Sequence, residues 1–158
     1  MAKKSKKTAE NTIAEHRRAR HEYLILDQFE VGLELRGWEV KSIRQGRVQL
    51  SESYILLKAG EAWLFNAHIS PLAQACSFDS LDPYRSRKCL LHSKELKKLL
   101  GAVKEKGLTV VPLAMYWKNR WIKLKIALAK GKKLHDKRAT EKERTWKREA
   151  ARLHKIKF

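Results

Sequence analysis

The chain has 158 residues, with 36 Lys and Arg against 17 Asp and Glu, a formal net charge of +19 and a pI near 10.2. That length suits one domain with extensions and can bury a real core, while the charge exceeds what solubility needs and points to a polyanion, nucleic acid ahead of an anionic membrane. No apolar run approaches the ~20 residues of a membrane span, no apolar stretch follows the lysines after Met1 to make a secretory signal, and Cys76 and Cys89 are too few for a disulfide framework or zinc site, which suits reduced thiols in the cytoplasm.

Residues 1–20 read as a basic arm, with seven Lys and Arg against Glu10 and Glu15. The arm lacks apolar periodicity and is expected to be disordered alone. From His21 the pattern turns to alternation. Tyr23, Ile25, Phe29, Val31, Leu33 and Leu35 are spaced as in extended structure, and Gly32 suggests a bulge or bend. Residues 38–44 read as two helical turns with Val40 and Ile43 inward, Glu39, Lys41 and Arg44 on the opposite face, and a glycine cap at Gly46. A hairpin follows, 53–57 and 61–69, turning through Lys58-Ala59-Gly60. Its second strand is expected to carry Trp63, Phe65, Ala67 and Ile69 on one face.

Residues 70–86 are irregular, with Pro71 and Asp82-Pro83. The cations Arg85, Arg87 and Lys88 lie beside Tyr84 and are expected to touch phosphates. Cys89-Leu90-Leu91 is a short strand. A helix starts at an N-cap on Ser93, repeats Leu96, Leu99, Leu100 and Val103, and stops at Gly107. The last hairpin joins 108–117 to the strand from Trp121 to Lys130, with Pro112 marking an edge or a bulge. Ile122, Leu124, Ile126 and Leu128 face inward. Trp121, Lys123, Lys125 and Lys130 face out or lie near the strand's end. The fold expected is mainly β, a small barrel of the oligonucleotide-binding type with two or three short helices packed on it. Three regions result: arm 1–20, barrel 21–130 and basic tail 131–158.

The sequence holds no phosphate-cradling glycine motif, metal cluster or nucleophile elbow. His135-Asp136 is the one pair that suggests a base and its orienter. Adjacent residues in a helix are not expected to face each other, so no enzyme, cofactor or metal is expected. Binding remains: cations for phosphates, and Trp38, Trp117, Trp121 and Tyr84 for stacking on unpaired bases.

Several stretches carry a resemblance: residues 19–23, Gly37-Trp38-Glu39-Val40-Lys41-Ser42-Ile43-Arg44, Ser53-Tyr54, Asp82-Pro83 with Arg85 and Arg87-Lys88, and Lys130-Gly131-Lys132-Lys133 running into Asp136-Lys137-Arg138. In these the chain resembles small protein B, the bacterial partner of transfer-messenger RNA in trans-translation, from about residue 10 to the end. The resemblance implies an adaptor that binds the tRNA-like domain of that RNA. The RNA is alanylated by alanyl-tRNA synthetase and carried with elongation factor Tu to a stalled ribosome, so those two are partners only through the RNA. No membrane is involved. By position, the RNA contacts would include Glu30, Trp38, Lys41, Arg44, Leu90, His92 and Lys123; Arg20, in the matching 19–23 stretch, joins them. In the decoding centre and empty mRNA channel, next to rRNA, would lie Gly131, Lys132, Lys133, His135, Asp136, Lys137 and Arg138, with Trp146 and Leu153 further along.

The residues agree with that picture. Residues 131–158 hold eleven Lys and Arg against four Asp and Glu, and Trp146, Ala150 and Leu153 form a thin apolar stripe. The tail is therefore expected to be disordered free and helical when bound. Two other readings stand beside this one: a structural rRNA-binding protein of the ribosome, and a nuclease using His135 and Asp136.

Overall fold

A computed structural model describes residues 11–74 and 81–156. Residues 1–10 of the expected arm, Cys76 and the last two residues of the tail lie outside them. In chain order the elements are β1 (Thr12–Glu15), α1 (Ala19–Glu22), β2 (Tyr23–Leu33), α2 (Gly37–Arg44), β3 (Val48–Gln49), β4 (Tyr54–Lys58), β5 (Glu61–Phe65), β6 (His68–Ile69), β7 (Arg87–Leu90), α3 (Ser93–Lys106), β8 (Thr109–Lys118), β9 (Trp121–Gly131) and α4 (Leu134–Ile156).

The strands close a ring. β8 pairs with β4, then β5, β7, β2 and β9 follow, and β9 pairs back onto β8, antiparallel throughout. Closure removes the open edges that a flat sheet would present. β3 and β6 form a separate two-stranded ladder. The interior is filled by the inward residues of every strand: Val31, Ile55, Leu64, Cys89, Val110, Met115, Leu124 and Ile126 are all buried. Leu99 of α3 and Ile43 of α2 join the same cluster.

Local chemistry explains the turns. Ala59 (φ 51°) and Gly60 (φ 71°) both take the left-handed region, and Lys58 pairs with Glu61 across them. That is the two-residue hairpin whose twist matches the strands. Asn119 (φ 56°) turns β8 into β9. Asn66, also at φ 56°, breaks the strand expected to run to Ile69. Alternation restarts there: Ala62 and Leu64 are buried before it, Ala67 and Ile69 after it. Trp63 and Phe65 therefore lie on the opposite face from that expected.

Pro112 marks a bulge, with the register slipping between Pro112 and Ala114. Gly32 does not. It pairs in register with both Leu90 and Lys123, and β2 slips instead between Ile25 and Asp27. The reason for glycine is proximity, since a Cβ on residue 32 would lie 3.3 Å from Leu90 Cβ.

Residues 12–20, read as the end of the disordered arm, belong to the body. β1 pairs along the second half of β8. His16 Nδ1 lies 3.1 Å from the Pro112 carbonyl oxygen. Ala19 is buried against Val111, Leu113, Ala127 and Ala129 on the outside of the barrel. At that end the sheet is covered on both faces, so β9 carries the small Ala127 and Ala129 on either side of Leu128. Two apolar anchors, Ile13 and Ala19, are too sparse to register as periodicity.

α2 is rotated from its expected setting. Its buried residues are Trp38, Glu39, Ser42 and Ile43. α3 begins one residue earlier than expected, with His92 rather than Ser93 at the N-cap and the His92 N–H bonded to Glu95 at 3.3 Å. Gly107 (φ 59°) ends it as expected. β9 retains Gly131, which pairs with Tyr23, so the tail helix starts only at Leu134.

Candidate nucleic-acid interface

The expected contacts separate into surface groups and one buried group. The buried group surrounds Glu39, which has no exposed surface. Its carboxylate accepts from Arg87 Nε at 2.7 Å, from Arg85 Nη2 at 2.7 Å and from the Arg36 N–H at 2.7 Å. Arg87 is also fully buried and donates to the carbonyls of Ala67 at 2.6 Å and Pro83 at 3.1 Å. Burial pushes the Glu39 pKa up, but the hydrogen bonds from Arg85 and Arg36 and the charge of Arg87 more than reverse it, leaving it below the ordinary glutamate value. Arg87 is thus a structural cation clamping α2 to the loop before β7, and no phosphate can reach it. Arg85 is half committed to the same knot, and Lys88 pairs with Glu61. A carboxylate flanked by tryptophan and valine was the available signal for this burial.

Trp38 is buried as well, 7% exposed, so it is not the open stacking surface expected, and its indole N–H has no partner among the described residues. Lys41 and Arg44 project from the exposed side of α2. Tyr84 and Trp121 are exposed, whereas Trp117 is half-buried.

The surface group lies on the outer face of the barrel. Register aligns Leu90 of β7, Gly32 of β2, Lys123 of β9 and Tyr116 of β8 in one row across four strands. Leu90 is 53% exposed over the bare backbone of Gly32. Glu30 sits two residues along β2 on the same face. It accepts from Tyr116 Oη at 2.5 Å and Lys118 Nζ at 2.7 Å. The hydrogen bonds from Lys118 and Tyr116, in that order, outweigh slight desolvation and hold its carboxyl below the usual range. Burial and the Glu30 bond push the Tyr116 hydroxyl well above its usual value. Lys125 lies across from Glu30 and stacks its ammonium 5.7 Å from the Tyr116 ring. With Gln28 and Trp117 these groups line an open hollow of about 480 Å³.

This face offers fixed acceptors, cations and an apolar side chain over exposed backbone. Such a mixture can read nucleotide edges as well as hold phosphates. His92 follows Leu90 by two residues and is exposed. Tyr116 and Lys118 escaped the sequence reading. Their link to Glu30 depends on the β8–β9 register, which alternation alone does not supply.

The tail group lies at the other end. α4 leaves β9 through Lys132 and Lys133. Lys132 donates its N–H to the Glu22 carbonyl at 2.9 Å and its Nζ to the Arg20 carbonyl at 3.1 Å, and His21 Nε2 lies 2.8 Å from Glu141 Oε1. The Arg20 side chain is exposed beside this junction. Asp136 accepts the Lys133 N–H at 3.2 Å, which caps the helix. His135 Nε2 reaches Asp136 Oδ1 at 3.1 Å, so these neighbours do meet, against the expectation. Both are exposed, and Asp136 is already engaged as a cap. Lys137 is half-buried, and Arg138, Trp146 and Leu153 are exposed along the helix. No helix among the described residues is long and apolar enough to cross a membrane.

The model of the family described as SmpB protein matches residues 13–156. The chain belongs to the SmpB family. It is 56% identical over 151 residues to the SsrA-binding protein of Coxiella burnetii strain Dugway 5J108-111, covering 96% of this chain and 95% of that one. The SsrA-binding protein of strain RSA 493 / Nine Mile phase I is 55% identical over the same span. A chain of the solved structure described as "tmRNA-SmpB: a journey to the center of the bacterial ribosome" is 47% identical, with a TM-score of 0.61 over 76% of this chain and 84% of that one. The SmpB match begins at Ile13, consistent with β1 and α1 being part of the body. It runs through α4, so the tail belongs to the family pattern rather than to an appended segment.

Proposed function

We propose that this chain is the RNA-binding adaptor of trans-translation. Its barrel binds the tRNA-like domain of transfer-messenger RNA, and its tail enters the decoding centre and empty mRNA channel of a stalled ribosome. Elongation factor Tu and alanyl-tRNA synthetase act with it only through that RNA. The family membership supports the reading, and one geometric observation carries it. β2 and β9 pair along their length, with Tyr23 opposite Gly131 at one end and Gly32 opposite Lys123 near the other. At ~3.3 Å per residue the two ends are about 30 Å apart. The Leu90–Gly32–Lys123–Tyr116 row and the root of the tail therefore lie at opposite ends of a rigid body, and each can hold a different partner at once.

In this division Leu90, Gly32, Lys123 and Glu30 grip the RNA, with His92, Lys41 and Arg44 beside them. The residues from Gly131 to Arg138 lead the tail into the ribosome, His135 against rRNA, and Trp146 and Leu153 lie along the channel. Arg85 and Lys88 serve the barrel wall first. The decisive experiment is removal of residues 132–158. The shortened chain is expected to bind transfer-messenger RNA with near-wild-type affinity and to support no peptide tagging. Loss of most of the affinity would show that the barrel is not the binding unit. A chain recovered at one copy per ribosome, with no dominant partner RNA, would instead indicate a permanent ribosomal component.

A further inference from the structure

The outer face of β4 and β5 carries apolar surface that the reading above leaves unused. Ile55 points inward, so Tyr54 and Leu56 point out, 47% and 44% exposed. Tyr54 is paired with Phe65 across the hairpin, and their rings stack with centroids 5.6 Å apart and planes 9° from parallel. Leu56 is paired with Trp63, and Trp63 with Lys88 of β7. Leu90 lies two residues beyond Lys88 on that same face. The patch is thus continuous with the row assigned to RNA, and Lys58 and Lys88 border it.

We propose that this aromatic patch is a stacking platform for unpaired nucleotides of the same transfer-messenger RNA that the Leu90–Lys123 row holds. The proposal rests on that functional reading. Several observations favour RNA over a protein partner. The rings are pre-stacked, so a base can extend the column from Tyr54, the more exposed of the two, without reordering either side chain. Lys58 flanks the rings on a chain of net charge +19, while Lys88 on the other side is paired with Glu61. A positively charged sheet face with aromatic rings is the common design for gripping single strands without reading their sequence. An RNA strand leaving Leu90 would meet Trp63 and then the Tyr54–Phe65 pair with no gap in the contact surface. Exposed Leu56 adds apolar area on which a ribose or base edge can rest.

The test uses the full chain and intact transfer-messenger RNA near physiological salt, with three variants. Tyr54→Leu is expected to weaken binding roughly tenfold, within the range that removal of one base-stacking ring produces. Tyr54→Phe is expected to bind as the wild type does, because it keeps the ring. Lys123→Ala reports on the underlying functional reading. Wild-type affinity in Tyr54→Leu together with weakened Lys123→Ala would overturn the platform and leave the adaptor reading standing. No binding by the wild type would overturn both. Photocrosslinking of the wild-type complex, with 4-thiouridine in the RNA, provides a measurement free of folding effects: crosslinks should map to the peptide containing Tyr54. Crosslinks to that peptide found only with ribosomal RNA, or only with another protein, would overturn the proposal.

Discussion

Glu39 and Arg87 are each without exposed surface and 2.7 Å apart, and single-residue effects should be largest here. Truncating one member leaves the other charge buried and unpaired. Arg87→Ala is therefore expected to destabilise the barrel by about 3–5 kcal/mol, read as a shift in the urea midpoint. RNA affinity per folded molecule should change little. The pH dependence follows from the depressed Glu39 carboxyl. The folded state releases this proton more readily than the unfolded chain, so the knot's contribution is full above the ordinary glutamate value of about 4.3 and is lost as pH falls through the lower folded value. Glu39→Gln should flatten that acid limb of a urea-midpoint titration, and an unchanged limb would assign it to other carboxylates. At the proposed RNA face, Lys123→Ala should weaken binding by about 1.5–3 kcal/mol if its ammonium hydrogen-bonds the RNA, measured by titration at fixed salt. Gly32→Ala should displace Leu90 and lower affinity while the fold survives. These residues show what a sequence can and cannot disclose. Lys123 is legible as an outward lysine on an alternating strand. Arg87 carries the same charge as Lys88 beside it, yet it falls on the inward face of the strand, where a buried carboxylate 48 positions earlier receives it.

At the scale of elements, the β-hairpins and both glycine-capped helices can be read from turn residues and alternation, which are local. Two elements resisted. β1 is four residues long and is ordered by the half of β8 that β4 does not reach, a partner about a hundred positions away. α2 is legible as a helix but not in its rotation, because Glu39 ranks as polar in any periodicity count. The tail helix α4 poses the opposite case. It spans 23 residues, with Trp146 71% and Leu153 67% exposed. It meets the body near its start, where Glu141 reaches His21. A thin, uncovered stripe cannot offset nucleation in water, so far-ultraviolet circular dichroism of the free chain should show less helix than 23 ordered residues would contribute. An anionic surface should restore it. If removing residues 132–158 subtracts a full helix signal from the free protein, the tail is already rigid without its partner.

Over the whole molecule, the charge sets how binding responds to salt. Each phosphate neutralised contributes about −0.7 to −0.9 to the slope of log affinity against log salt. The full chain should show a steep slope with transfer-messenger RNA, and the barrel without its tail nearly the same one, because the proposed function gives the tail's cations to the ribosome. A large drop in slope on truncation would place the tail on that RNA instead.

The pairing of β2 with β9 also has a consequence in time. These two strands lie about a hundred residues apart in the chain, yet each is the other's longest neighbour, and the ring cannot shut without them. β2 must therefore wait, half-paired, until almost the whole body has been made. Such long-range closure makes for slow folding and leaves strand edges open to wrong partners meanwhile. A protein of this design should tolerate a stop codon just after Gly131 and fail with one just after Arg120. Eleven residues would then separate a folded barrel from an aggregating chain.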